Sequence, residues 1–291
     1  MTLATKLLTS LSSSGTAARK GSSVVPRVSE YTACGVTLLG DTSCPAGVTL
    51  AFTQRTGGYS AYPYASLNVG SHVGDDPIAV KKNRALVLEA MGHREFASNL
   101  VVPHQVHGSN VCSISSLEQL PAFRERIAQG CDAIVCTAAQ VPVLLCYADC
   151  TPVILVATDG AVPGFAVIHS GWRGTIARIS ALALQELCAQ TGGTAQQVLA
   201  YVGPHIAAAD YEVSFELIRK FTNEFGEFVR MGERNLDMSA AVKTSLVDVG
   251  LQPQHFVDCK RSTAHEVDRF FSYRAEQGMC GRHGAVAFLR E

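Results

Sequence analysis

Four short apolar runs, VPVLLCY ending at Tyr147, PVILVA over 152–157, GFAVIH over 164–169 and VLAYVG over 198–203, set the terms on which this chain can fold. Each is rich in β-branched residues, is bounded by Gly, Pro or Asp and lacks polar alternation, which is the pattern of strands buried on both faces. Such strands need cover on either side, and the sequence supplies it. Ile179, Leu182 and Leu187 recur at helical spacing over 176–191, and Gly192 and Gly193 stop the run. Helices are also expected over 79–91, 215–225 and 238–249, the last followed by Gly250. Strands alternating with helices predict a single-domain layered α/β sandwich with a central mixed sheet.

From Tyr31 onward no linker, charge block or repeat marks a boundary, so residues 31–291 are expected to form one domain. Residues 1–30 read differently. Up to Arg27 this stretch carries Lys6, Arg19 and Lys20, no acid before Glu30, and the run SLSSSGTAARKGSS, and is expected to be a disordered or leader segment. Its acid-poor, Ser-rich character also meets the composition of an organelle transit peptide, whereas the cluster Leu7, Leu8 and Leu11 is too short for a secretory core. The longest apolar stretch, 133–148, includes Thr137 and Gln140 and falls short of the roughly 18 residues of a membrane span.

Charge narrows the partners. The 24 Lys and Arg face 25 Asp and Glu, a net charge of -1, which disfavours a nucleic-acid binder working through bulk positive charge. The ten Cys lie mostly inside apolar runs and include no C-x-x-C pair, which argues for reduced thiols and a cytoplasmic protein.

Most familiar catalytic motifs are missing. There is no G-x-G of a dinucleotide fold, no phosphate-binding G-x-x-x-x-G-K-[ST], no G-x-S-x-G elbow, no H-E-x-x-H helix and no H-x-H pair among the nine His. His93-Arg94-Glu95 matches the first half of a zinc deaminase signature, but no P-C-x-x-C follows it.

The informative residues are polar ones placed where apolar runs end. Asp149 and Cys150 interrupt LLCYADCTPVILV. In isolation they would read as a turn Asp beside a structural thiol. In VIHSGWRGT the strand stops at His169, and Gly171, Trp172, Arg173 and Gly174 lead into a helix, a setting suited to anions because helix N-terminal N–H groups lack partners. PHQVHGSNV brings His104 and His107 together before Gly108, and QRTGGYSAYPYASLNVG offers Arg55, Gly57, Gly58 and Asn68 in a loop able to approach a ligand closely. Near the C-terminus, RFFSYR and GRHGAVAFL place Phe270, Phe271, Tyr273 and Arg274 ahead of Gly281 and Arg282.

Together QRTGGYSAYPYASLNVGSHVGDDPIAVKKNR, HQVHGSNV, CDAIVCTAAQVPVLLCYADCTPVILV, HSGWRGT, YVGPHIAAADYEV and FFSYR resemble the laccase-domain family, over about residues 48–290. That family was long labelled multicopper polyphenol oxidase and is also described as purine nucleoside phosphorylases. The pairing of ADC-x-P with H-x-GWRG some twenty residues later is highly specific. The resemblance implies one α/β domain spanning 31–291 and a metal centre of His107, Cys150 and His169. It also implies cleavage of adenosine, inosine, guanosine or methylthioadenosine by phosphate, with adenosine deamination as a companion activity. Two positions depart from the family's usual residues: Ser170 stands where Ala is common, and Ser262-Thr263 where Cys-Thr is often seen.

The donor set carries its own chemistry. Two imidazoles and a thiolate suit Zn²⁺ better than copper, and three protein ligands leave a fourth position for water or substrate. A metal so held brings the pKa of its water from about 15.7 towards 7. True laccase chemistry would call for H-x-H pairs feeding several copper ions. Phosphorolysis needs cations around the pocket, with Arg55 and Arg173 as the phosphate or substrate contacts, Asn68 as a further contact and Asp149 as an acid/base. Two other readings stay open: a Cys-His hydrolase or amidase with Cys150 as nucleophile and His169 as base, and a non-enzymatic, metal-dependent interaction module. The partners expected are purine nucleosides and phosphate, with no nucleic acid and no membrane, and the chain is a monomer or a dimer.

Overall fold

A computed structural model describes residues 25–290. The leader expected over 1–30 falls mostly outside the described residues. The first strand begins at Ser29, ahead of the boundary placed at Tyr31.

Along the chain run β1 (Ser29–Ala33), β2 (Val36–Gly40), β3 (Val48–Thr53), α1 (Pro77–Ala90), β4 (Val111–Ile114), α2 (Leu120–Ile127) and β5 (Ala133–Cys136). There follow β6 (Val143–Tyr147), β7 (Thr151–Ala157), β8 (Gly164–Ser170), α3 (Trp172–Ile176), α4 (Ile179–Thr191) and β9 (Val198–Val202). The last third holds α5 (Phe215–Phe225), β10 (Arg230–Met231), β11 (Asn235–Leu236), α6 (Met238–Asp248), β12 (Phe256–Asp258) and β13 (His283–Leu289). The four apolar runs are therefore β6, β7, β8 and β9, as their composition predicts. The helix expected over 176–191 is α4, which starts at Ile179 rather than Ile176 because Arg178 takes a left-handed φ of 56° and separates it from the short α3.

The layered α/β sandwich is built on two sheets. One is wholly antiparallel, in the order β1-β2-β3-β13-β6. The other is mixed, in the order β12-β9-β7-β8-β5-β4, with parallel pairs only at its two edges. Their inner faces meet: Leu50 and Phe52 of β3 and Ala285 and Ala287 of β13 share a core with Ile154 and Val156 of β7 and Phe165 and Val167 of β8. The alternate residues face outward but are buried too. Ala51, Val286 and Phe288 pack under Leu86 and Val87 of α1, while Val153, Leu155, Ala166 and Ile168 pack under Leu184 and Leu187 of α4 and Val242 and Leu246 of α6. The period of two survives in direction but not in polarity, and the strands read as unbroken apolar runs for that reason.

A strand covered on both faces admits polar side chains chiefly at its ends. His283, which opens β13, is fully buried; its ring lies 6.3 Å from that of Tyr147 and 5.8 Å from that of Phe270. Burial pushes its pKa down to about 3. In the unfolded chain a histidine titrates near 6.5. Between these values the unfolded state binds a proton that the folded state refuses, so stability is complete above the unfolded pKa and falls as pH drops through the window. Urea melts should show His283 removing about 1 kcal/mol of stability between about pH 7 and 5.5. In His283→Leu that share of the slope should vanish, and an unchanged slope would show that His283 is not held neutral.

Candidate metal centre

Three segments remote in sequence end at one point. In the antiparallel ladder of β7 and β8, Thr151 pairs with Ser170 and Pro152 with His169, so Cys150 stands just before one strand and His169 just before the end of the other. His107 lies in the loop ahead of β4 and takes a left-handed φ of 58°. The ligand atoms of His107, Cys150 and His169 all lie within 4.8 Å of one another. The two imidazoles meet edge to face, with centroids 4.7 Å apart at 80°.

Asp132, immediately before β5, organises this arrangement. Its Oδ1 accepts from the backbone N–H of His107 at 3.0 Å, and its Oδ2 from those of Val106 at 3.2 Å and Gly108 at 2.8 Å. Three successive N–H groups around one carboxylate form an anion-binding nest, which holds His107 in a conformation that a non-Gly residue rarely adopts. The same Oδ1 lies 2.8 Å from His169 Nδ1. Burial would raise the Asp132 pKa, but the hydrogen bonds and charge of His169 and the backbone bonds hold it below the usual carboxylate range. An ionised carboxylate can only accept, so Nδ1 carries a proton and Nε2 is the ring nitrogen left to face Cys150.

The electrostatics follow. Burial alone would raise the Cys150 thiol, but the charge of His169 and hydrogen bonds with both imidazoles bring it down to about 6. Burial works against a charged His169, yet Cys150 and Asp132 lift it to about 9. Cys150 is thus a thiolate near neutral pH, the form that ligates a metal or attacks an electrophile. Tyr211 lies close by, and burial together with the Cys150 charge pushes its phenol up to about 12, which leaves it a neutral donor. Gly171 completes the cradle: a Cβ there would stand 3.2 Å from His107 Cδ2 and 3.3 Å from Cys150 Sγ, so a side chain would crowd the donors. Two nitrogens and one sulfur converging on a space kept clear by glycine fit a zinc-type ion.

The other residues singled out in the sequence take different positions. Arg173 is exposed and stacks on Trp172, its guanidinium carbon 4.4 Å from the ring centroid. Arg55 commits its guanidinium inside the protein, donating to the carbonyls of Ala65 and Val267 and to Glu276 at 3.0 Å while lying 4.3 Å over the Phe271 ring. Asn68 is fully buried and bonds Gly70, Asp75 and the N–H of Arg282. Asp149, at φ 84°, accepts from Thr263 at 2.6 Å, Ser272 at 2.7 Å and the Arg274 N–H at 2.7 Å, pinning the C-terminal loops beside the centre. Thr263 therefore has a defined structural partner in the segment that departs from the family's usual residues. The carboxylate that sequence reasoning passed over is Asp132, and the available signal was an acid wedged between Cys131 and the wholly apolar strand AIVC.

A thiolate between two imidazoles, one tied to a buried carboxylate, at the strand ends of a two-sheet sandwich defines an α/β protein with a His-Cys-His site of metal-ligand type. The chain belongs to the family described as multi-copper polyphenol oxidoreductase laccase, whose model matches residues 49–290. It is 36% identical over 242 residues to a purine nucleoside phosphorylase of Deinococcus radiodurans, covering 82% of this chain and 88% of that protein. It is 30% identical over 222 residues to adenosine deaminase RL5 from an unknown prokaryotic organism, covering 72% and 82%. The crystal structure of YlmD from Geobacillus stearothermophilus superposes with a TM-score of 0.79 at 27% identity, covering 90% of this chain and 98% of that one. Relatives named as enzymes of nucleoside chemistry support an enzyme role for this chain. Among the described residues no helix is long and apolar enough to cross a membrane, and all ten cysteines are free.

Asp132→Asn keeps the shape of the side chain but removes its charge and half of its accepting capacity. Zinc affinity, measured by competition with a chromophoric chelator, should fall about 10- to 100-fold. Unchanged affinity would mean that Asp132 does not set the orientation of His169.

Proposed function

We propose that this protein is a zinc-dependent purine nucleoside phosphorylase that also deaminates adenosine. The observation that carries the reading is the convergence of His107, Cys150 and His169 around one point, with His169 already oriented by Asp132. Three protein donors leave one position for a reactant, the arrangement of catalytic rather than structural sites. A bound zinc would supply Lewis acidity towards an oxygen or nitrogen of the reactant. The chain's own groups do the rest. Asp132 holds the His107 backbone and the His169 imidazole, Tyr211 offers a neutral hydrogen-bond donor beside Cys150, and Asp149 keeps the Thr263 and Ser272 segments in place as a wall. Arg55 and Asn68, proposed from sequence as substrate contacts, act in this reading by shaping the loop that flanks the pocket. Arg173 contacts the substrate, because its planar fork is steadied by Trp172 and makes no ion pair among the described residues.

A second reading has a specific observation in its favour. Cys150, His169 and Asp132 form a thiolate–imidazole–carboxylate array, the kit of an acyl-transfer nucleophile. Products separate the two. Phosphate-dependent release of hypoxanthine from inosine supports phosphorolysis, whereas a trapped acyl-Cys150 without a metal requirement supports acyl transfer.

Protein purified without added metal should carry zinc by elemental analysis, and both Cys150→Ala and His169→Ala should lose most of it together with inosine cleavage. Full metal retention in both variants would sink the assignment. Arg173→Lys keeps the charge and loses the fork. It should lower kcat/KM for phosphorolysis at least tenfold, about 1.4 kcal/mol of transition-state stabilisation, with zinc content and Tm nearly unchanged. Wild-type kinetics in that variant would remove Arg173 from the site.

A further inference from the structure

A cavity of about 990 Å³ lies between α1, α2 and the segment leading into HQVHG. Its walls carry Lys81 and Arg84 from α1, Arg124 from α2, and His72 and His104, with no Asp or Glu among the lining residues. Among the described residues none of the three fixed cations is in an ion pair. Arg84 is held in place by donating to the Val69 carbonyl at 2.8 Å and the Ser71 hydroxyl at 3.3 Å, both neutral acceptors that leave its charge uncompensated. The floor is apolar, with Val80 and Ile127 among its residues, so these cations face a partly dehydrated space in which electrostatic attraction is strengthened.

The cavity adjoins the candidate metal centre. Gln105 lines it and clamps the Cys146 backbone through both amide atoms, each bond 2.8 Å, and His107 follows two residues later in the chain. His72, at the other wall, has its pKa held below the usual value by burial and then by the nearby charges of Arg282 and Arg84. Fixed cations in a concave space without carboxylates are built for an oxyanion, and a guanidinium fork matches two oxygens of one phosphoryl group. The volume is at the top of the range for small-ligand sites, room for a phosphoryl group with a sugar attached.

We propose that this cavity is the oxyanion subsite, taking orthophosphate on Arg84, Lys81 and His72 and presenting it to a nucleoside held at the His107, Cys150 and His169 centre. The role in turnover rests on the phosphorolysis reading above. In that reaction an oxygen of hydrogen phosphate forms a bond to C1′ of the ribose, and the C1′–N9 bond breaks with its electron pair passing to the purine. The proton of the hydrogen phosphate ends on the freed base. The products are ribose 1-phosphate and the purine, with no other reactant needed.

The test uses the full chain with zinc and reads orthophosphate binding by calorimetry beside steady-state phosphorolysis of inosine. Arg84→Gln and Lys81→Gln should each weaken orthophosphate binding and raise KM for phosphate at least tenfold, while KM for inosine and zinc content change less than twofold. Lys81 is exposed and its side chain makes no hydrogen bond among the described residues, so its variant remains informative if Arg84→Gln fails to fold. Lys82→Gln, on the same helix but off the cavity, should match wild type. Equal phosphate binding in wild type and the Lys81 and Arg84 variants, or no binding by wild type, would overturn the subsite. Loss of binding in the variants of a protein that does not cleave inosine would leave the subsite standing and bring down the phosphorolysis reading instead.

Discussion

One buried carboxylate ties the candidate centre together. Asp132 is fully buried and its two oxygens serve the N–H groups of Val106, His107 and Gly108 as well as the imidazole of His169. An isolated carboxylate in such a place would be driven to its neutral form, and a neutral acid could not accept four donors. The donors keep it ionised, and its charge in turn fixes the tautomer of one histidine and the strained backbone of the other. The two candidate histidine donors are therefore coupled through a carboxylate outside the donor set, so the positions of His107 and His169 cannot drift independently.

The sandwich explains why this chemistry gathers where it does. β7 and β8 are covered by the facing sheet on one side and by α4 and α6 on the other, so a polar side chain within them would lie in hydrocarbon without partners. Their shared end is the first place where polar groups can face a reactant while still held by a rigid ladder. Cys150 and His169 occupy that end, and the adjacent β13 and β6 bring Tyr147 and His283 beneath it. Tyr147 donates to the Ile168 carbonyl at 2.9 Å and packs 5.6 Å from the His169 ring, bracing the imidazole from below.

How much of this was legible in the sequence depended on the range of the interactions concerned. Strand runs and helix stops are local, and β7, β8, β9 and α5 fall where hydrophobic spacing places them. The division into two sheets is set by which strand pairs with which. β6 and β7 are neighbours in the chain yet join different sheets, and nothing in VPVLLCYADCTPVILVA distinguishes that from a hairpin. The break at Arg178 escaped because the apolar spacing continues across it, and a left-handed non-Gly residue leaves no periodic mark. His107, Cys150 and His169 were legible through the family resemblance, while Asp132 was not. Its role depends on a loop, 106–108, closing around it from 24 to 26 residues away in sequence.

Net charge gave the least guidance of all, for a physical reason. A total of -1 describes the field seen from far away, where opposite charges cancel and salt screens what remains within about 10 Å. A ligand inside a cavity responds to the nearest few groups. Around α1 those groups are Lys81 and Arg84, with Arg124, His72 and His104 opposite and no carboxylate on the wall, while the acids of the same region serve other ends: Asp76 caps α1 and Asp75 holds Asn68. Asp76 and Asp75 are turned to hydrogen bonds within the fold, so the balance of charge over the whole chain coexists with a local excess of cation beside the centre. A nearly neutral sequence can therefore carry a cavity lined locally by cations, and a composition that disfavours bulk polyanions does not speak against a small phosphate.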